Sequence, residues 1–314
     1  LMVPVEAPVE KWAGKIKELK LGSGGRKSVT VGGSSSLPFV RFEGAQPHRP
    51  TIAIEIRDVE PRDWSSMLVS AWGDALKDPA KWAKKAAEYG AALLYVRLAS
   101  AHPEEGNTGD VEARKTAGAI LSAVDLPLIF AGPDVADKDN EVLVAVSDVA
   151  KGQRVGLGNC VEKNHKTIAA TCLADGHVAI AKTPIEINLA KQLNILLSDV
   201  GLAADSILMD PTTGALGYGL EYTYSVMERL RLAALMGDAM TSMPLICTVG
   251  EESWRQKESK SSDAPKSWGD ATQRALVWEE MTAMGLLTSG ADIVVLRHPQ
   301  TLARVKSAID KMFA

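Results

Sequence analysis

One unit recurs eight times after about residue 50 and restricts the fold more than any other feature of the chain: a short apolar run, a loop, a helical stretch, then the next run. The runs are TIAIEIR (Thr51–Arg57), ALLYVRL (Ala92–Leu98), PLIFAG (Pro127–Gly132) and VGLGN (Val155–Asn159). They continue with HVAIAKT (His177–Thr183), SILMDP (Ser206–Pro211), PLICTVG (Pro244–Gly250) and DIVVLRH (Asp292–His298). The helical stretches between them include DPAKWAKKAAEYG, EARKTAGAILSAV, NHKTIAATCLADG, INLAKQLNILLSDVG, EYTYSVMERLRLAALMG and QRALVWEEMTAMGLLTSG. Most end at Gly or Asp-Gly, where a left-handed residue stops a helix. Near-continuous apolar strands must be buried on both faces, which implies parallel pairing under a cover of helices. The pattern predicts an α/β chain whose residues 51–314 form a (β/α)8 TIM barrel. A doubly wound sheet is the alternative. It carries a glycine fingerprint after its first strand, and TIAIEIRDVEPRDW has none.

Residues 1–50 stand outside the repeat as an N-terminal extension. KSVTVGGSSSLPFVRFEG reads as two short strands around a Gly/Ser turn, a β-hairpin expected to plug the N-terminal face of the barrel. The segment Glu251–Gly269, EESWRQKESKSSDAPKSWG, reads as a long polar loop after the seventh strand, of the kind that is mobile or binds a partner.

Composition narrows the function. Lys and Arg (35) nearly balance Asp and Glu (39), so the net charge of -4 supplies no basic footprint for nucleic acid. No apolar run approaches the ~20 residues of a membrane span, and the start LMVPVEAPVEKWAGKIKEL lacks the charged and apolar regions of a signal peptide. Cys160, Cys172 and Cys247 share no CxxC spacing and are odd in number, which fits buried thiols in a reducing, cytoplasmic setting. The five histidines show neither HxH nor HExxH spacing, so no metal site is expected.

Chemistry in a barrel collects at the C-terminal ends of the strands. Those ends carry Arg57 and Asp58, Ser100 and His102, Asn159, Lys182 and Thr183, then Asp210, Thr212 and Thr213. Thr248, Gly250 and Glu251 follow, with Arg297 and His298 last. Polar residues also end barrel strands simply to cap the following helices. Asp58, Asn159 and Asp210 together would suit the edge of a pterin-like ring. Lys182 within its strand would suit a Schiff base, but no aldolase-like constellation accompanies it. A phosphosugar barrel would bind phosphate after strands seven and eight, and TVGEESW is acidic there.

The stretch MDPTTGALGYGLEYTYSVMERLR (Met209–Arg231) places Gly214, Gly217 and Gly219 between a strand and an amphipathic helix. It matches neither GxxxxGK[ST] nor GxGxxG, and Gly156-Leu-Gly158 has only half of the latter. A surface so poor in side chains suits close approach by a phosphate, a flat macrocycle or a protein.

The same residues resemble a known family. MDPTTGALGYGLEYTYSVMERLRLAALMGD, with TPIEINLAKQLNILLSDVGL, EKNHKTIAATCLADGH and VTVGGSSSLPF, is similar to the small, or delta, subunit of the corrinoid iron–sulfur protein of the acetyl-CoA synthase/carbon monoxide dehydrogenase system. The similarity runs from about residue 5 to the C-terminus. It implies a TIM barrel paired as a heterodimer with a large subunit that holds a [4Fe–4S] cluster and a corrinoid (cobamide). It also implies a role in the reductive acetyl-CoA (Wood–Ljungdahl) pathway. There the cobalt takes a methyl group from methyltetrahydrofolate through a methyltransferase and passes it to acetyl-CoA synthase. The small subunit caps the corrinoid and is itself non-catalytic. Water exclusion around a reactive cobalt suits a concave lid held by many weak, uncharged contacts. The family motif does not fix which side chains touch the ring. The candidates, chosen because they end adjacent strands, are Asn159, Thr183, Asp210, Thr212, Thr213, Gly214 and Thr248. The alternative is a pterin-binding methyltetrahydrofolate methyltransferase barrel.

Overall fold

The computed structural model describes residues 8–38, 40–261 and 263–313. Among these, two antiparallel strands, β1 (Glu18–Leu21) and β2 (Val29–Gly32), precede a regular alternation. The strands that follow are β3 (Thr51–Arg57), β4 (Leu93–Arg97), β5 (Leu128–Ala131), β6 (Gly156–Cys160), β7 (Val178–Lys182), β8 (Ile207–Asp210), β9 (Ile246–Cys247) and β10 (Ile293–Leu296). All eight coincide with the expected runs, and they form one parallel sheet in the order β8-β7-β6-β5-β4-β3-β10-β9. The edges β8 and β9 meet through a bridge between Met209 and Leu245, with the Met209 amide donating to the Pro244 carbonyl at 2.9 Å. The chain is a TIM barrel.

The covering helices are α1 (Ser66–Trp72), α2 (Pro79–Glu88), α3 (Asp110–Ala123), α4 (Ala136–Val149), α5 (His165–Asp175) and α6 (Ile187–Asp199). Then come α7 (Leu220–Leu235), α8 (Val249–Arg255), α9 (Lys257–Lys260), α10 (Ala271–Thr288) and α11 (Pro299–Met312). Local chemistry sets several of their ends. The Asp78 carboxylate accepts from the Ala80 and Lys81 amides at 3.0 and 3.2 Å, with Pro79 in the first turn of α2. Gly176 stops α5 in the left-handed region at φ 78°.

The barrel wall separates two apolar layers. Outward residues such as Ile54, Val96 and Phe130 pack against the helices. Inward residues such as Ala53, Leu93, Tyr95, Ile180 and Val295 form a second cluster, which Leu19, Leu21 and Val31 of the hairpin complete. The half fingerprint Gly156–Gly158 belongs to this packing. A Cβ at Gly156 would lie 2.8 Å from the Ile129 side chain, and one at Gly158 would lie 2.8 Å from that of Ile180. These glycines let neighbouring side chains cross β6; they do not cradle a phosphate.

The hairpin plugs the N-terminal face, but its register differs from expectation. Val29–Gly32 pairs with Glu18–Leu21 upstream rather than with a strand beyond Ser36. Phe39, in the middle of that expected second strand, lies outside the described residues, as do residues 1–7 of the N-terminal stretch. Upstream pairing wins because it aligns Leu19 and Leu21 on one face, and both are buried against the barrel floor. Loops at that end stitch the plug in place. The Gly22 amide donates to the Arg154 carbonyl at 3.0 Å, and Arg154 Nε donates to the Lys20 carbonyl at 2.8 Å. Leu21→Ala is expected to lower stability by about 2–5 kcal/mol. Urea unfolding checks this, as a drop in midpoint at unchanged slope.

Candidate functional site at the barrel mouth

The apolar interior ends at the level of Glu55. Three strands finish in arginine, Arg57 on β3, Arg97 on β4 and Arg297 after β10, and their guanidiniums meet buried carboxylates there. Arg297 binds Glu55 in a two-pronged fork, Nε to Oε2 at 2.7 Å and Nη2 to Oε1 at 2.8 Å. Arg57 Nε adds a third contact at 3.1 Å. Burial pushes the Glu55 carboxyl up, and the three arginines more than reverse it, holding it well below the usual carboxylate range. Arg97 bridges Asp134 at 3.1 Å and also Glu251. Lys182 reaches Asp134 at 2.9 Å. Burial disfavours the Lys182 ammonium, but Asp210 and Asp134 outweigh it and raise its pKa. A firmly protonated amine has no lone pair for a Schiff base.

This paired network departs from the uncharged lid expected of the sequence. Glu55, Arg97 and Asp134 are not among the residues singled out from the sequence. The signal that could have found them is arginine at the end of three apolar runs, with a glutamate inside one of them. Four cationic groups, Arg57, Arg97, Arg297 and Lys182, share the mouth with the carboxyls of Glu55, Asp134, Glu251 and Asp210.

Burial holds several acids against ionisation, Asp210 and Asp139 among them. Burial pushes Asp210 up to about 6, against Lys182 and the Thr212 amide, which donates to Oδ1 at 2.9 Å. Burial and then Asp134 push Asp139 up to about 7. Asp134 and Thr212, which serve the network, both lie at positive φ, 68° and 61°, where a side chain is strained.

The seven candidate residues divide by what their polar atoms do. Thr212 Oγ1 donates to the Thr183 carbonyl at 2.6 Å, tying the end of β7 to the loop after β8. Thr213 Oγ1 accepts from the Thr248 amide at 2.8 Å and ties the same loop to β9. The Gly214 amide donates to Thr223 Oγ1 at 2.8 Å, and a Cβ there would collide with the Gly219 carbonyl. These contacts hold the wall. Asn159, Thr183 and Asp210 differ, since each has a side chain that the protein only partly satisfies. Asn159 Nδ2 donates to Asp134, and because a carboxylate only accepts, Oδ1 is fixed as the free acceptor. Asn159 Oδ1 and Thr183 Oγ1 have no partner among the described residues. Asp58, by contrast, accepts from the Ser100 amide at 3.0 Å and from its hydroxyl, so its carboxyl is spent on the loop after β4.

Glu251–Gly269 is not an open loop in its first half. Most of it forms α8 and α9 and the short turn Lys266–Trp268, with Ser262 outside the described residues. Glu251 crosses to Arg97, and Trp254 stacks on His298 at 5.8 Å and 17°. A Cβ on Gly250 would sit 2.7 Å from the Arg297 amide, so glycine permits this close entry into the helix. Tyr218, from the loop after β8, donates to Glu258 on α9 at 2.7 Å. The apolar content hidden in a polar string, Trp254 above all, folds α8 over one side of the mouth.

Residues 18–305 match the family model described as "CO dehydrogenase/acetyl-CoA synthase delta subunit". The chain belongs to that family. Among relatives of this delta-subunit chain, the acetyl-CoA decarbonylase/synthase complex subunit delta of Archaeoglobus fulgidus is 37% identical, over 96% of this chain and 70% of that one. Subunit delta 1 of Methanosarcina thermophila is 33% identical, over 98% and 73%. Subunit delta of Methanothermobacter thermautotrophicus is 33% identical, over 98% and 78%. Among solved structures, dihydropteroate synthase of Xanthomonas albilineans superposes with TM-score 0.56 at 13% identity, over 94% of this chain and 97% of that one. That of Coxiella burnetii gives 0.56 at 13%, over 86% and 94%. At such identities the likeness concerns the barrel alone. Among the described residues of the delta-subunit chain, no helix is long and apolar enough to cross a membrane.

Two outcomes follow from the mouth of this delta-family barrel. Arg297→Met leaves Glu55 charged and buried without its fork, and is expected to cost about 3–5 kcal/mol in urea unfolding. Asp139 has a folded pKa raised to about 7, so its contribution to stability is present in acid and lost as pH rises through that value. Asp139→Asn should therefore gain on the wild type between pH 5 and pH 8, by on the order of 1–3 kcal/mol. A difference in urea midpoints independent of pH would contradict this.

Proposed function

We propose that this chain is the non-catalytic small subunit of a methyl carrier, and that its barrel mouth caps a corrinoid held by a large, [4Fe–4S]-bearing subunit. The observation that carries the reading is the character of the mouth. Its charges are already paired with one another, while Asn159 Oδ1 and Thr183 Oγ1 lack partners among the described residues. A surface of that kind suits a large, neutral, amide-fringed ring better than an anion, because buried polar atoms seek hydrogen bonds and paired charges resist being pulled apart.

The corrin periphery carries carboxamide arms, so the residues present fit the group. Asn159 would accept from an amide N–H, Thr183 would donate or accept, and Asp210 would donate in its protonated form. Thr212, Thr213, Gly214 and Thr248 would shape the rim against which the ring rests. The bound cobamide supplies the chemistry, its cobalt taking up a methyl group and handing it on. This chain's own part is to exclude water and to let go between transfers. The partners on this reading are the large subunit, a methyltetrahydrofolate:corrinoid methyltransferase and acetyl-CoA synthase/carbon monoxide dehydrogenase. The names of the relatives, subunits of an acetyl-CoA decarbonylase/synthase complex, support that assembly.

A pterin-binding methyltransferase is the competing reading, and the commitment of Asp58 to Ser100 weighs against its Asp58–Asn159–Asp210 edge. Co-expression with a corrinoid-binding large subunit is expected to give one stable heterodimer with a cobamide spectrum. Isothermal titration of the chain alone with methyltetrahydrofolate is expected to show no micromolar binding. Micromolar affinity there would overturn the capping reading in favour of the methyltransferase.

A further inference from the structure

The mouth has two unlike halves. Over β3, β4, β9 and β10 it is closed: α8 lies across it, and two sets of ion pairs, Arg57–Glu55–Arg297 and Arg97–Glu251, fill it. Trp254 on His298 completes that cover. Over β6 and β7 it is open. A groove of about 350 Å³ runs there between the loop after β6 and the first three turns of α6. Its walls are mainly apolar, and Leu189 is 37% exposed in spite of its size. Leaving such a side chain in water forgoes about 25 cal/mol for each Å² that a ligand would cover.

This groove also has a polar handle. Thr183 is 7% exposed and lines it, and its hydroxyl has no partner among the described residues. Asn159, whose Oδ1 is also unpartnered among the described residues, ends the neighbouring strand behind the groove and does not line it. One rotamer step about Thr χ1 swings the hydroxyl among three staggered positions without moving the backbone. Lys182 and Lys163 border the groove, but each is tied to a carboxylate, Asp134 at 2.9 Å and Asp137 at 3.1 Å. Neither is a free charge for an anion. The chemistry that answers an apolar wall with one hydroxyl at its end, able to donate or accept, is a neutral carboxamide carried on a methyl-rich frame.

We propose that the groove walled by Val161, Thr183, Pro184, Leu189, Leu193 and Leu196 seats one amide-bearing edge of the ring, so that the ring lies off the barrel axis, towards β6 and β7. The assignment rests on the capping reading and adds a direction to it. The ring reaches the mouth from the α6 side, and α8 is its far wall rather than a lid that must open. The edge buries methyl groups on Leu189 and Leu193, and its amide meets Thr183. The closed half keeps its ion pairs through every cycle of docking and release.

Dicyanocobinamide, an amide-bearing corrin without a nucleotide tail, tests this by visible difference spectroscopy against the chain. Thr183→Val removes the hydroxyl at nearly constant volume. Leu189→Asp places a charge on the exposed wall of the groove. Leu173→Asp puts the same charge on an exposed leucine at the other end of the barrel, as a control. Thermal melting confirms that each variant is folded before titration. The expected result is at least a tenfold weaker Kd for Leu189→Asp and about three- to tenfold for Thr183→Val, with Leu173→Asp unchanged. Wild-type binding that both groove variants leave intact overturns the rim assignment and spares the capping reading. No spectral change with wild-type protein at any concentration overturns the capping reading itself. A loss in Leu173→Asp equal to that in Leu189→Asp also overturns the assignment, since charge alone would then explain both.

Discussion

The fork between Arg297 and Glu55 is the constraint on which the upper half of the molecule depends. Both side chains are almost wholly removed from water, at 4% and 1% exposure, and their attraction offsets the cost of burying each charge. Their level marks the boundary between an apolar barrel floor and a polar mouth. Beneath it, Leu19, Leu21 and Val31 seal the floor, so water reaches the pair only from above. Beside it, Arg57 adds a second cation on Glu55, and the separate pair Arg97–Glu251 ties β4 to α8. The helix that covers one side of the mouth is thus tied to a barrel strand by an ion pair of its own.

Most of the architecture was legible in the sequence because its signal is periodic. Each of the eight apolar runs became a strand, and the helices named from their spacing formed within a residue or two of expectation. Errors arose where the deciding contact is distant. The partner of Val29–Gly32 is chosen by the barrel floor, which a local reading of the Gly/Ser turn does not contain. In the same way EESWRQKESK looks like solvent-exposed chain until Trp254 meets His298 and Glu251 meets Arg97, residues far away in sequence.

The site was legible by position and much less by role. Residues that end adjacent strands did converge on one mouth, as barrel geometry requires. Their division into wall contacts and unpartnered atoms depends on where single oxygen atoms point. Thr213 and Thr183 look alike in the sequence, yet one hydroxyl is used by the Thr248 amide and the other is left over. The glycines that first suggested a phosphate cradle serve compactness instead, letting the β8–α7 loop fold back on its own carbonyl at Gly219.

The closure of the barrel between β8 and β9 has a mechanical consequence. Seven of the strand boundaries are laced by ladders, whereas this one is tacked by a single bridge at Met209 and Leu245 beside a strand of two residues. A rolled sheet with one lightly fastened edge yields along that edge first when its rim is loaded, because local opening follows the least-bonded path. The segment beside that edge is the glycine-rich loop, cross-stitched by Thr213 to Thr248 and by Tyr218 to Glu258. Those side-chain stitches act as a drawstring: they set how far the rim can widen while the ladders elsewhere keep its curvature.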